Sequence, residues 1–453
     1  MEQNKALELE QQPIGKLLIQ YATPAIIAMT AMSLYNIVDS IFIGHGVGAL
    51  AISGLAITFP LANIAAAFGS LIGVGASALL SVKLGQKDYK TTQKILGNLV
   101  VMNVIMGILL SIVAIIYLDD ILYFFGASEN TIQYARDYMF IILLGNIPLH
   151  MYLGLNAIMR SSGHPKRAMQ ATMLSVVVNT ILDALFIFVF KWGIQGAAIA
   201  TVIGQVVALI WQWRILSNPN ELIHFKKGTY KLDWKLVEEM VMIGLSPFLM
   251  NLSSSVVIIF INKALMKHGG DLAVGAYGII NRLIFLAIMV MIGICQGMQP
   301  IVGYNYGAQK YKRVEKALKL AIYAATAVEV LLFISGQTIP NTMVSIFTSD
   351  PQLISISARA MKLIILACPI AGFQIVTSQF FQSVGKANKA IFMSLSRQLL
   401  FLVPFLIIFP RFWGTDGVWL SFPVADVVSS VIAALLLYYQ FKSFRRDKNR
   451  VVT

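Results

Sequence analysis

Long apolar runs dominate the chain, and short segments rich in charged and turn-forming residues separate them. A helix that crosses a lipid bilayer needs about 20 apolar residues, and runs of that length recur along the sequence. The pattern therefore predicts transmembrane helices rather than a soluble core. The twelve predicted spans are 17–43, 50–82, 97–118, 136–159, 168–190, 193–213, 236–262, 271–304, 318–338, 358–381, 388–410 and 415–440.

The composition excludes a soluble protein. Of the 453 residues, 57% are hydrophobic and only 12% are charged, and the mean hydropathy is +0.74. Soluble domains carry about 25% charged residues. We therefore expect an all-α integral membrane protein. We also expect its first span to be retained, because residues 1–16 lack the apolar stretch and cleavage site of a signal peptide.

Basic residues are distributed unevenly between the two sides of the predicted bundle. The chain has 35 Lys and Arg against 21 Asp and Glu, which gives a formal net charge of +14. Most of the basic residues lie near the termini and in the loops after even-numbered spans, and the positive-inside rule places such segments in the cytoplasm. We expect a multi-pass protein of the plasma (inner) membrane with both termini cytoplasmic. The charge of this protein, embedded in the lipid bilayer, then reflects topology rather than nucleic-acid binding or specific lipid recognition.

The two halves of the sequence are similar to each other. When the chain is slid along itself, Gly75, Gly85, Tyr89, Lys90, Lys94 and Leu96 fall on Gly297, Gly307, Tyr311, Lys312, Lys316 and Leu318. Each half has six spans, an even number, so the halves share one orientation. The predicted organisation is a first lobe (1–213, helices 1–6), a polar cytoplasmic linker (214–235), and a second lobe (236–453, helices 7–12) with a basic C-terminal tail. Two such bundles enclose a cleft near the membrane midplane, as in transporters.

Six charged residues fall well inside the predicted spans. A charged side chain there costs at least about 2.5 kcal/mol and usually faces a cavity or a partner. The six are Asp39, Asp183, Arg282, Glu329, Arg397 and Asp426. When the two halves are aligned, no carboxylate of the second half corresponds to Asp39 or Asp183. This asymmetry favours a function confined to the first lobe. The structural alternative is a buried aspartate held by neighbouring amides and hydroxyls for packing.

Asp39 and Asp183 are the residues that we expect to couple transport to an ion. Asn179 precedes Asp183 by four residues and therefore shares its helix face. Two neighbouring buried carboxyl groups can share a proton. Alternatively, the oxygens of Asp39, Asn179, Asp183 and Thr201 can enclose a hard cation such as Na⁺, and Asp39, Asn179 and Asp183 are then its metal ligands. The sequence leaves H⁺ and Na⁺ open as the coupling ion.

The other intramembrane polar residues allow two interpretations each. Arg282 either anchors helices or binds substrate, and Gln296 either faces the cleft or bonds between helices. Asp426 either pairs with Arg397 or lines the second lobe, and pairing is the stronger expectation. Glu329 stands alone in an apolar run, and its sequence context suggests no role.

Motifs of ATP-driven or hydrolytic proteins do not occur. The sequence contains no GxxxxGK[ST], HExxH or GxSxG segment. Cys295 and Cys368 lie in apolar runs without a CxxC spacing, so we expect them to be core residues rather than disulfide or zinc ligands. The expected protein is a transporter driven by an ion gradient, not an enzyme, and needs no cofactor apart from its coupling ion.

Several segments, in order along both halves, are similar to those of a known family. They are Pro24 with Tyr35–Gly44, Gly73–Gly75 with Leu84-Gly85, Asn156 with Arg160–Gly163, Asn179 with Asp183, Gly193 to Thr201, and Pro300 with Tyr304–Ala308. Together they resemble the multidrug and toxic compound extrusion (MATE) family over essentially the whole chain. The second half, with Gly275–Gly278, looks similar to bacterial members of the MepA and DinF type.

The resemblance implies a V-shaped, two-lobed fold that exports cationic, lipophilic drugs in exchange for Na⁺ or H⁺. The implied ion site comprises Asp39, Asn179, Asp183 and Thr201. The implied neighbours of that site are Tyr35, Asn36 and Asn156, which we predict to bind substrate together with Gln296 and Arg282. The expected protein is a monomeric bacterial multidrug antiporter, a function associated with antibiotic resistance.

Two alternative functions remain at this level. One is a lipid-linked oligosaccharide flippase of the same superfamily, and the other is a narrow-substrate metabolite exporter. A flippase requires a strongly basic cleft for pyrophosphate, whereas only Arg282 and Arg397 lie inside the spans. Another branch of the family binds its ion through acidic residues of the second lobe, but span 7 carries Ser253–Ser255 and Asn262 at that depth.

Overall fold

A computed structural model describes residues 8–451, with side chains described for 8–48 and 50–444. All regular structure in this part of the chain is helical. The helices of the first half are α1 (Ile14–Gly46), α2 (Ala49–Gly85), α3 (Tyr89–Ile116), α4 (Ile132–Leu144 and Asn146–Ser161), α5 (Pro165–Val189) and α6 (Gly193–Leu216).

The second half begins with a 74-residue helical segment, Trp234–Gly307, that breaks at Gly270. The backbone of Gly270 has φ 65°, in the left-handed region that glycine adopts readily. The segment therefore contains two helices, α7 before Gly270 and α8 after it. The remaining helices are α9 (Tyr311–Thr338), α10 (Pro351–Ser383), α11 (Ala387–Ile408) and α12 (Pro410–Val451).

The described helices give twelve membrane spans, which confirms the predicted fold class. Ten helical segments are long and apolar enough to cross a membrane, and the two parts of α4, bent by 56°, form an eleventh. The break at Gly270 divides one of the ten segments into two. Several helices run past the predicted limits of the spans, because the polar residues at their ends continue the helix. The basic tail predicted beyond Phe444 lies outside the residues whose side chains are described.

Three hydrophobic cores define the shape of the molecule. One core joins both halves at one end and includes Leu17 and Leu80 with Met240 and Ile301. Toward the other end, one core contains only first-half residues and another only second-half residues. The halves are therefore joined at one end and separated at the other, which gives a V.

Glycines allow the two halves to pack backbone against backbone at the joined end. A Cβ built on Gly75 of α2 would lie 1.8 Å from the Met240 carbonyl oxygen, and one on Gly244 of α7 would lie 1.7 Å from the Leu71 carbonyl oxygen. A larger residue cannot fit without moving a helix. On α8, Gly293 and Gly297 pack in the same way on α1, beside Ile26 and Ala22.

A short N-terminal segment, residues 8–13, binds the second half at the joined end, and we call it the strap. Glu10 accepts an ion pair from Lys310, with Nζ 2.7 Å from Oε1. Arg313 Nη2 donates to the carbonyl oxygens of Leu9 and Gln12 at 3.0 and 2.7 Å. The strap thus ties the start of α1 to the loop between α8 and α9.

The connection between the halves is shorter than the predicted linker, because α6 continues to Leu216 and α7 begins at Trp234. It packs against α3 of the first half. Asn98 Oδ1 accepts from the Asp233 backbone N–H at 2.8 Å, and Lys94 Nζ lies 3.2 Å from Asp233 Oδ2. This ion pair lowers the pKa of the Asp233 carboxyl.

Candidate ion site and cleft

Asp39 and Asp183 meet inside the first half. Asp39 lies on α1 and Asp183 on α5, and their exposed fractions are 5% and 0%. The two carboxyl groups lie within hydrogen-bonding reach of each other. Neither group has a basic partner among the described residues. A hydrogen bond between two carboxyls requires a proton on one of them, so the arrangement suits one shared proton.

A chain of hydroxyl and amide groups surrounds the pair. Tyr35 Oη and Thr201 Oγ1 lie 3.1 Å apart, and Asn179 Nδ2 donates to the same Thr201 oxygen at 3.1 Å. The Asn179 side chain therefore turns its Oδ1 away from Thr201. Tyr35 shares a helix face with Asp39 because four residues separate them. The predicted ion-site residues are thus brought together from α1, α5 and α6.

Several oxygens of this cluster have no donor. Asp39 Oδ1, Asn179 Oδ1 and both carboxylate oxygens of Asp183 are buried and accept no hydrogen bond from a described N–H or hydroxyl group. Unpartnered buried oxygens of this kind are costly unless a ligand satisfies them. An all-oxygen donor set suits a proton or a hard monovalent cation rather than a soft metal. The described residues contain no group of three or more His, Cys, Asp or Glu side chains placed to hold a metal ion.

Local helix irregularity accompanies the site. Immediately after Asp183, α5 becomes π-helical over Leu185–Val189. π-Helical turns are uncommon and occur often at functional sites, because they leave backbone groups weakly bonded and re-aim side chains. On α1, Pro24 lies within the helix and removes one backbone donor. Asp183 is therefore next to a stretch that departs from regular α-helical geometry.

Tyr138 is a member of the cluster that the sequence did not suggest. It lies on α4, is 8% exposed, and its hydroxyl lies close to Thr201 and to both aspartates. In the sequence it stands near the start of a span, where tyrosines are common as interfacial residues. No spacing or motif distinguished it from Tyr134, one helical turn earlier.

Asn156 belongs to a different cluster. Its Nδ2 donates to the Ala168 carbonyl at 2.9 Å and to Thr172 Oγ1 at 3.2 Å, and its Oδ1 accepts from Arg160. Thr172 precedes Asn179 on α5 by seven residues, or about 10 Å of helix. Asp183 lies a further four residues along α5, so the structure places Asn156 about three turns from the aspartate pair.

The remaining predicted substrate contacts lie along the V. Gln296 of α8 points to α1, with Nε2 3.6 Å from Met29 Sδ, near the glycine contacts at the base of the V. Asn36 follows Tyr35 on an adjoining, exposed face of α1. Arg282 is exposed in the outer half of α8 and has no hydrogen bond or ion pair within the described part of the chain. These three are not brought into one cluster.

In the second half, Arg397 of α11 donates to Asp426 of α12, with Nε 2.6 Å from Oδ1. The expected pairing is confirmed. Glu329 of α9 is buried close to the pair. The second half thus has its own buried ionic cluster, at positions unrelated by the repeat to Asp39 and Asp183.

Comparison with known families identifies the chain. The model of the MatE family matches residues 24–185 and again 243–408. The chain belongs to the MatE family. The two matches fall one in each half, and both aspartates lie in the first. As expected, the MatE chain is therefore a membrane transporter and not an enzyme.

Relatives of this MatE chain agree with the predicted resemblance. It is 26% identical over 438 residues to multidrug export protein MepA of Staphylococcus aureus (strain MRSA252), with 97% of this chain and 96% of the relative covered. It is 25% identical over 452 residues to MepA of Staphylococcus haemolyticus (strain JCSC1435), with 100% and 99% covered.

Solved structures share the fold. A multidrug resistance MATE transporter of the MOP superfamily in the outward-facing conformation matches with a TM-score of 0.91, 22% identity, and coverage of 97% and 98%. A MATE structure in the bent conformation matches with a TM-score of 0.92 and 22% identity, with 98% of both chains covered. The V-shaped, two-lobed MATE architecture is confirmed.

Proposed function

We propose that this chain is a multidrug exporter that exchanges cationic, lipophilic compounds for protons. The observation that carries the proposal is the Asp39–Asp183 pair, two buried carboxyls within bonding reach and without a basic partner. Protons and cationic drugs compete for such a pair, because its negative charge is available to only one of them at a time. The relatives named multidrug export protein support the same substrate class.

In the proposed cycle, the two lobes rock about the joined end of the V. When the cleft is open to the cell exterior, a proton from outside neutralises the aspartate pair and the bound drug cation leaves. When the cleft is open to the cytoplasm, the pair releases its proton there and attracts another drug cation. Exchange of one proton for one monovalent drug cation moves no net charge, so the pH difference drives it, and one pH unit, worth about 1.4 kcal/mol, supports a drug concentration ratio of about 10-fold.

The lobe boundaries and the orientation belong to the same proposal. We assign the first lobe to 1–213, the linker to 214–235 and the second lobe to 236–453. We place both termini, the strap and the linker in the cytoplasm of a bacterial cell, on the basis of the distribution of Lys and Arg. The open end of the V then faces outward.

In this proposal, the substrate reaches the aspartate pair along the cleft. Gln296 and Met29 form its floor, and Tyr35 and Asn36 lie about 9 Å higher on α1. The adaptable thioether of Met29 suits compounds of varied shape. Arg282 lies nearer the open end of the V. Asn156 remains a predicted substrate contact, separate from these residues.

The flippase alternative is weakened by the second-half ion pair. A pyrophosphate needs free positive charge, and Arg397 is already bonded to Asp426. Arg282 is the other arginine well inside the spans, and it has no ion pair within the described part of the chain. A narrow-substrate exporter is distinguished by its substrate range, since it would move one metabolite and no structurally unrelated cations.

The test is ethidium transport by proteoliposomes in which a pH gradient and a Na⁺ gradient are imposed separately. We expect the pH gradient alone to drive transport in the wild type, and Asp39→Asn and Asp183→Asn to reduce it to the level of empty liposomes. Asp120→Asn is the matched control, because Asp120 is an exposed acidic residue of the first half, and it should leave transport unchanged. Transport driven only by the Na⁺ gradient would show that the coupling ion at this site is Na⁺ and not H⁺. Normal transport by Asp183→Asn would contradict the proposal.

A further inference from the structure

Glu329 is a buried carboxyl that the proposed cycle does not use. It lies midway along α9 and is 4% exposed, and its Oε2 accepts no hydrogen bond from any described donor. Gly372 of α10 makes room for it, because a Cβ built there would lie 3.3 Å from Glu329 Cγ. The side chain is therefore held inside the second half, away from the first-half aspartates.

The groups around Glu329 contain one cation and a second carboxyl. Within the described part of the chain, the titratable side chains that interact with the Glu329 carboxyl are Cys368 of α10, Arg397 of α11 and Asp426 of α12. The Cys368 thiol lies close to the Glu329 carboxyl. Arg397 donates through Nε to Asp426. Asp426 therefore forms the ion pair with Arg397, and Glu329 has no ion pair of its own.

A buried carboxylate without a paired cation is expensive, and neutralisation by a proton removes most of the cost. We propose that Glu329 is a second proton-binding site, located in the second lobe and separate from the Asp39–Asp183 pair. With its proton bound, Glu329 is neutral and leaves the Arg397–Asp426 pair intact. When the proton leaves, Glu329 and Asp426 compete for Arg397. This inference goes beyond the proposed exchange at the first lobe and does not depend on it.

The backbone at Arg397 is suited to such competition. Arg397 lies in a π-helical stretch of α11, Ser396–Leu402, where backbone bonding differs from that of a regular helix. The next residue, Gln398, donates through Nε2 to Ser254 Oγ of α7 at 2.9 Å. A shift of Arg397 toward Glu329 would therefore be transmitted to the contact between α11 and α7.

The experiment is infrared spectroscopy of the purified full-length protein in lipid at neutral pH, with glutamate ¹³C-labelled at its side-chain carboxyl. A protonated carboxyl has a carbonyl band distinct from that of a carboxylate, and the label shifts it only if it comes from glutamate. We expect a label-sensitive band in the wild type, its loss in Glu329→Gln, and its retention in Glu315→Gln. Glu315 is the matched control because it lies on the same helix in a surface pair with Lys319.

A double variant, Asp39→Asn with Asp183→Asn, separates this inference from the proposed function. It should keep the glutamate band even if it loses all transport. Absence of a label-sensitive band in the wild type would overturn the second site without affecting the first. A band that survives in Glu329→Gln would likewise overturn it. If Glu329→Gln does not fold, Glu329→Asp takes its place: it keeps a carboxyl at the site but removes the labelled glutamate, so the label-sensitive band should disappear there too.

Discussion

At the scale of single residues, hydroxyl groups hold the proposed ion site together as much as carboxylates do. Thr201 Oγ1 bonds to both Tyr35 and Asn179, and the Tyr138 hydroxyl lies nearby. A buried hydroxyl that loses its partner costs about 1–3 kcal/mol. Removing one hydroxyl should therefore disturb the geometry of the aspartate pair without removing its charge.

We predict that Tyr35→Phe lowers proton-driven export about 5-fold, the effect of losing one hydrogen bond of about 1 kcal/mol, because the Tyr35 hydroxyl bonds to Thr201 Oγ1. Proteoliposome transport at saturating ethidium measures it. Tyr134→Phe, a first-half tyrosine without a described hydroxyl bond, should transport as the wild type does. Equal activity of both variants would remove Tyr35 from the site.

The sequence was sufficient to nominate the aspartate pair and the Arg397–Asp426 partners, because charges inside apolar runs are few. It did not reveal Tyr138 or the surroundings of Glu329, since their neighbours are on other helices. Asn156 shows that the sequence can also nominate a residue that the structure places outside the cluster. It is polar and lies in a family-like segment, yet its bonds to Ala168 and Thr172 hold it in a separate cluster.

At the scale of helices, apolar length predicted every span, but not where the helices bend. The bend in α4, the break at Gly270 and the π-helical stretches depend on tertiary packing that periodicity does not contain. The repeat did align the Gly75 and Gly297 segments, and both glycines lie at close helix contacts. Glycine in these helices is therefore a packing requirement rather than a source of flexibility.

We predict that Gly244→Ala destabilises the joined end by about 1–3 kcal/mol, because the added methyl would overlap the Leu71 carbonyl of α2. Thermal unfolding in lipid or detergent should show a lower midpoint. Gly278→Ala is the control, since a Cβ there meets nothing within 4 Å, and its midpoint should not fall. A normal midpoint for Gly244→Ala would show that the helices separate easily at this contact.

At the scale of the whole molecule, the strap is a contact that the proposed rocking of the lobes must break or carry along. It joins the N-terminal segment of one half to the α8–α9 loop of the other through Lys310, and to the first turn of α9 through Arg313. Lys310 holds the pKa of the Glu10 carboxyl below its usual range. The ion pair therefore contributes above the unfolded-state pKa of a glutamate and is lost as the pH falls through the lowered value.

We predict that Glu10→Gln increases amide hydrogen exchange in residues 8–13 at neutral pH. Acidification should raise wild-type exchange, after correction for the intrinsic rate, to the level of the variant, whereas the variant should stay constant. Glu8→Gln, a change in the same segment without a described ion pair, is the control. Equal protection in Glu10→Gln and the wild type would show that Arg313 alone holds the strap.

The central claim is that a cationic drug and a proton exchange at the Asp39–Asp183 pair. The most direct measurement is proton release when ethidium binds to the purified protein in weakly buffered solution, followed with a pH-sensitive dye. We predict release by the wild type and by Asp120→Asn, and none by the double variant Asp39→Asn with Asp183→Asn. Ethidium binding to the wild type without proton release would contradict the account.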